Sequence, residues 1–183
     1  NTAHELGHKK TRLERNLAKV VLSLGAYGHF NIEHNNGHHR DVSTPGDPAS
    51  SRMGESIYRF AMRELPGGAR RAWRLEKERL QRAGLGTWSR HNEILQPLGL
   101  SIVLYATLIS LYGAIMLIYL PIVAFWGAFQ LTSANYVEHY GLLRRKLDDG
   151  RYERCAPEHS WNSNHVFSNW ITFHLQRHSD HHA

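Results

Sequence analysis

The sequence predicts an all-α integral membrane protein, a transmembrane helical hairpin set between two polar helical blocks. Three observations carry this expectation. Between Glu93 and Glu138 lie 44 consecutive residues without a charge, whereas one bilayer crossing takes about 20 apolar residues. Pro121 stands near the middle of that run and would interrupt a single long helix. Arg90 precedes the run, and Arg144, Arg145 and Lys146 follow it, so both flanks belong on the cytoplasmic side. The mean hydropathy of −0.47 averages this pattern away.

The segments follow in chain order, as parts of one functional domain. Residues 1–93 form a cytoplasmic region. Its first 22 residues are strong helix formers and hold no apolar leader segment. Residues 42–54 (V-S-T-P-G-D-P-A-S-S-R-M-G) read as a loop. Residues 69–83 place Ala69, Ala72, Trp73, Leu80 and Ala83 on one helical face, the pattern of a surface or membrane-surface helix. Residues 94–137 form the two-pass hairpin. Residues 138–183 return to the cytoplasmic side, open with an Asp148-Asp149-Gly150 turn, and become helix-compatible from Asn164.

Composition narrows the chemistry. The net charge is +6, and 14 histidines stand beside a single cysteine, Cys155. One cysteine excludes a disulfide framework, a cysteine-rich zinc site and a cysteine-held iron–sulfur cluster, and it fits a reducing compartment. The sequence lacks a phosphate-cradling glycine loop, a serine-nucleophile elbow and a nucleic-acid module, so no nucleic-acid partner is expected.

The histidines cluster as H-E-L-G-H (His4, His8), E-H-N-N-G-H-H (His34, His38, His39) and H-S-D-H-H (His178, His181, His182). Helix residues three or four apart share a face. His4 is therefore expected to converge with His8, His34 with His38, and His178 with His181 and His182. H-E-x-x-H alone is a zinc-protease pattern, but such a site needs one further ligand rather than two further clusters. The histidines exceed the needs of one tetrahedral ion, which points to two metal ions. Imidazole suits zinc, copper, iron and nickel alike, so spacing leaves the metal open. Glu5, Glu33, Glu138 and Asp180 sit in or beside the clusters and are candidates to orient ligating imidazoles. Among the remaining histidines, His174 shares the face of His178, His165 is balanced between roles, and His29, His91 and His159 are expected to be hydrogen-bonded or solvated. Arg70, Arg71, Arg74, Lys77, Arg79 and Arg82 form a basic stretch suited to an acidic partner, anionic lipid or plain solvation. Tyr105, Tyr112, Phe125, Trp126 and Phe129 are expected to pack or to face lipid.

The segments N-T-A-H-E-L-G-H-K-K, Y-G-H-F-N-I-E-H-N-N-G-H-H, N-Y-V-E-H-Y-G-L-L and L-Q-R-H-S-D-H-H-A together closely resemble the bacterial membrane alkane hydroxylases. These belong to the superfamily of membrane fatty-acid desaturases and hydroxylases. The resemblance runs over the whole chain. It implies an inner-membrane enzyme with its site toward the cytoplasm and two non-haem irons held by histidines alone. The implied ligands are His4, His8, His34, His38, His39, His139, His178, His181 and His182, with no catalytic residue beyond them. The implied reaction inserts one atom of O₂ at the terminal methyl of a medium- or long-chain n-alkane. Electrons come from rubredoxin, supplied by rubredoxin reductase, and membrane lipid surrounds the hairpin. The same resemblance reads the chain as an internal piece of a longer protein whose earlier membrane helices lie upstream, so activity is expected of that longer protein. Competing readings are a desaturase with the same dimetal centre, a zinc protease and a metal transporter. Transporters hold their ligands near the bilayer midplane, whereas nearly all these histidines flank the hairpin.

Overall fold

A computed structural model describes residues 6–9, 11–172 and 175–182; of Asp180 and His182 it describes the backbone alone. The described residues are helical apart from loops and one isolated bridge, Lys146 to Tyr152. The helices are α1 (Arg12–Leu24), α2 (Phe30–Glu33), a π-helical turn (His34–His38), α3 (His39–Asp41), α4 (Ile57–Arg82), α5 (Leu95–Tyr112) and α6 (Met116–Glu138). A 3₁₀ turn (Pro157–His159), α7 (Val166–Ile171) and α8 (His178–His182) follow. The chain divides into two compact units, one made of His38–Gly67 and Leu131–Ala183, the other of Thr2–Gly37 and Gly68–Gln130.

In the second of these, α1 starts where the Thr11 hydroxyl accepts the N–H of Glu14, satisfying a donor that the first turn leaves open. Ala18, Leu22 and Ser23 are its buried residues, and the helix packs along α5. Arg71 is buried and donates from Nε to Glu33 Oε1 at 3.1 Å, with Nη2 bonded to the same oxygen. Arg79 donates to Glu76 at 2.7 Å. Two members of the basic stretch are thus held by internal carboxylates, while Arg70, Arg74, Lys77 and Arg82 stay exposed. The Asn92 carboxamide oxygen accepts the N–H groups of Ile94 and Leu95 at 2.8 and 3.1 Å, which stops the polar chain and starts the apolar one.

Both α5 and α6 are long and apolar enough to cross a membrane. Their apolar residues face outward: Val103 is 67% exposed, Leu111 69% and Trp126 61%. The turn between them lies at Gly113–Ile115, not at Pro121 as the sequence suggested. Gly113 takes φ +80°, a left-handed conformation only glycine adopts freely, and its N–H closes α5 on Ile109 at 2.8 Å. Pro121 sits in the second turn of α6, which continues through it.

In the other unit, the end of α6 is tied to the start of α4 and to the loop before it. Asn135 donates to Glu64 at 2.7 Å, the Tyr136 hydroxyl to the Glu55 carbonyl at 2.7 Å, and Ser51 to the Tyr136 carbonyl at 2.7 Å. Arg63 holds Glu55 and also donates to the carbonyls of Pro48 and Ser50, each at 3.0 Å. The stretch read as a loop from its proline, glycine and serine content is indeed non-helical, yet it is locked by these bonds.

Candidate metal centre

Three buried imidazoles meet in the unit of His38–Gly67 and Leu131–Ala183. They are His38, His139 and His178, each at most 1% exposed, and their ligand atoms lie within 4.8 Å of one another. Each arrives differently. His38 closes the π-helical turn, His139 follows the last residue of α6, and His178 opens α8.

Two of the rings are hydrogen-bonded from behind, and a carboxylate stands behind the third. His139 donates from Nδ1 to the His159 carbonyl at 3.1 Å, which leaves Nε2 as the lone-pair nitrogen, 3.1 Å from Nε2 of His178. Burial and the neighbouring His38 push the His139 pKa down to about 3, so the ring is neutral, the form that binds metals. His38 Nδ1 lies 2.9 Å from Asp47 Oδ2, and His178 Nδ1 lies 3.3 Å from Glu138 Oε2. The donor set suits a metal ion. Two nitrogens each about 2.0–2.1 Å from one ion lie roughly 3 Å apart, and a carboxylate or carbonyl behind each ring is the usual support of a ligating histidine.

Asp47 is the group that sequence reading missed. It is 2% exposed and also accepts the Ser50 hydroxyl at 2.5 Å and the Ala49 N–H at 3.1 Å. The signal was present as a lone aspartate in D-P-A-S-S, nine residues after His38, but loop composition hid it. His159 is buried, and its carbonyl also accepts the Ser43 hydroxyl at 2.9 Å.

Within each unit two more histidines meet. In the same unit, His39 Nε2 lies 3.1 Å from Nε2 of His181. In the other unit, His8 and His34 meet edge to face with ring centroids 5.1 Å apart, and Asn35 donates to the Gly7 carbonyl at 3.2 Å. His34 and His38 were expected to converge, but they do not share a partner set: His34 meets His8, and His38 meets His139. The π-helical turn between them carries i→i+5 bonds, so it does not keep the α-helical register on which that expectation rested. His178 and His181 likewise diverge to different partners, with centroids 5.5 Å apart. Glu33 faces Arg71. His4, Glu5 and His174 lie outside the described residues, as do the side chains of Asp180 and His182.

A cleft of about 790 Å³ opens beside Glu138, lined among others by Ala134, Val137, Trp161, Thr172 and Leu175. The Trp161 N–H donates to the Glu138 carbonyl at 2.8 Å. The lining is mainly apolar and lies next to the carboxylate that faces His178.

The family model described as fatty acid desaturase matches residues 1–183. The chain is 65% identical over its full length to alkane 1-monooxygenase 1 of Alcanivorax borkumensis, covering 45% of that protein. It is 63% identical to alkane 1-monooxygenase of Ectopseudomonas oleovorans, covering 46%. The xylene/toluene monooxygenase hydroxylase component of Pseudomonas putida is 29% identical over 180 residues, 98% of this chain and 47% of that protein. The chain therefore spans just under half the length of these relatives. With a helical membrane-type architecture and histidines gathered at the end of an apolar helix, the chain belongs to the fatty acid desaturase family.

Proposed function

We propose that this chain carries the metal-binding part of an alkane 1-monooxygenase, an inner-membrane enzyme that hydroxylates the terminal methyl of medium- or long-chain n-alkanes. The carrying observation is the set of three buried imidazoles at the end of α6, in a chain 63–65% identical to proteins named for that activity. Nine histidines, counting those fixed by motif, exceed the needs of one ion, which supports two irons. When bound, the irons supply the redox chemistry that places one oxygen atom of O₂ in a C–H bond and the other in water, with two electrons from rubredoxin. The chain's own part is positional. The His159 carbonyl and the Asp47 carboxylate set which nitrogen of His139 and His38 faces inward. The cleft at Glu138 offers an apolar wall to a hydrocarbon chain.

Metal analysis and product analysis of the full-length enzyme test this reading. About two irons per chain and a terminal alcohol from an n-alkane are expected; one tightly held zinc and no iron would overturn it. The family model favours one second reading, desaturation of acyl chains by the same centre, and a double bond in the product would establish it. Location is tested by reporter fusions after Lys77 and Lys146. Both should report the cytoplasm, as the basic flanks require.

A further inference from the structure

Helix α1 leaves an apolar stripe uncovered. Leu13, Leu17, Val20, Val21 and Leu24 repeat at helical spacing and are 40–70% exposed, while Ala18, Leu22 and Ser23 form the opposite, buried face. No charge occurs from Val20 to Gly28.

The contacts of α1 with α5 set its depth. Lys19 bonds Gln96 at 2.8 Å and pairs with Glu93 at 3.5 Å, at the polar start of α5. The Ser101 hydroxyl donates to the Ser23 carbonyl at 2.7 Å, and the Tyr105 hydroxyl to the Leu24 carbonyl at 3.0 Å. Partners on α5 thus advance from residue 96 to residue 105 as α1 advances from 19 to 24. From Lys19 to Leu24 α1 itself rises about 7.5 Å, about a quarter of a hydrocarbon core about 30 Å thick, and the long Lys19 and Tyr105 side chains span the rest of the distance along α5. The chain then reverses. Ala26 takes φ +51°, and Gly28 packs so closely on Pro97 that a Cβ there would lie 2.4 Å from that ring. Four residues after Leu24 the backbone is back at the level of residue 97.

The turn pairs much of its own backbone. The N–H groups of Gly25, Ala26 and Tyr27 donate to the Leu22 and Ser23 carbonyls, and two hydroxyls of α5 reach the carbonyls of Ser23 and Leu24. Irregular backbone survives at membrane depth when its polar groups are satisfied in this way.

We propose that α1 and the turn after it form a re-entrant hairpin in the leaflet next to the polar blocks, with Leu17, Val20, Val21 and Leu24 against lipid acyl chains. The proposal rests on reading α5 as a membrane span. Single-cysteine variants of the full chain test it. In a Cys155→Ser background, Leu17→Cys, Leu24→Cys, Ile102→Cys on α5 and Arg82→Cys on α4 carry an environment-sensitive fluorophore in phosphatidylcholine–phosphatidylglycerol vesicles. Nitroxide-labelled lipid and aqueous iodide serve as quenchers. Leu24→Cys should be quenched by the lipid as strongly as Ile102→Cys and more than Leu17→Cys, and Arg82→Cys by iodide alone. Lipid quenching at Ile102→Cys with iodide quenching at Leu24→Cys and Leu17→Cys would overturn the re-entrant placement. So would shielding of both α1 sites from both quenchers, which would show protein covering that face. Iodide quenching at Ile102→Cys would overturn the membrane reading of α5, and the proposal with it.

Discussion

The histidine trio and the apolar helices α5 and α6 are opposites. Around His38, His139 and His178 polar groups are buried, among them Asp47, Glu138 and Ser43. Along α5 and α6 apolar residues are exposed. In water both would be costly, because buried charge needs partners and large apolar patches seek cover. The difference shows two solvents at work. The trio is stabilised by specific bonds, such as His139 to the His159 carbonyl, so its content is directional. The helices satisfy their backbone internally and need only an apolar surrounding, so their content is almost wholly composition.

The largest effect is expected at the imidazoles. His38→Ala in the full-length enzyme is expected to abolish metal binding and alkane oxidation, while exposed His91→Ala leaves both largely intact. Metal analysis with product assays reads this, and equal damage from the two variants would sink the assignment of His38. Next comes a charge placed on the apolar helix. Val103→Arg should cost about 2.5–3.5 kcal/mol of membrane insertion. Met62→Arg, at an equally exposed residue of α4, should change stability by no more than about 0.5 kcal/mol. An insertion assay and a detergent unfolding series compare them; similar costs would mean that α5 does not meet lipid.

Asp47→Ala sharpens the polar side. Removing the carboxylate behind His38 should weaken metal affinity about 10–100-fold, and Asp47→Asn, which keeps an acceptor oxygen, should weaken it less. Titration with ferrous ion under anaerobic conditions measures the difference. A smaller effect is expected at the boundary between the regions. Asn92→Ala removes the acceptor for Ile94 and Leu95 and should cost about 1 kcal/mol, visible as fraying of amide exchange protection at the start of α5.

The smallest effect is a pH dependence. The Arg63 guanidinium bonded to Glu55 holds that carboxyl below its ordinary 4.5. The stabilisation is therefore present above 4.5 and is lost as pH falls through the lower, folded value. Arg63→Ala should remove that acid-limb slope in unfolding curves; an unchanged slope would mean that the pair does not titrate between the two states.

Much of the site was legible in the sequence because histidine spacing is local. H-E-L-G-H, E-H-N-N-G-H-H and H-S-D-H-H marked the residues at once, and the motif around His139 added another. Their grouping was not legible. Helical spacing paired His34 with His38, whereas the π-helical turn sends them to His8 and His139. Asp47 was hidden because a loop aspartate has no periodicity to betray it. In the fold, the 44-residue uncharged run gave the apolar helices, but Gly113 rather than Pro121 makes the turn. Proline is tolerated near a helix start, whereas a left-handed glycine closes one.

Local pattern was enough for the class: an all-α architecture, an apolar block long enough to span, and a metal chemistry built on imidazole. These follow from composition and from repeats of three and four residues, which any chain expresses locally. The tertiary structure decided which rings face each other, which tautomer His139 holds, that Arg71 is consumed by Glu33, and how deep α1 runs along α5. Those depend on pairs far apart in the chain, such as Ser23 with Ser101 and His38 with His139. No local rule reaches across such separations, because only packing brings their atoms within bonding distance.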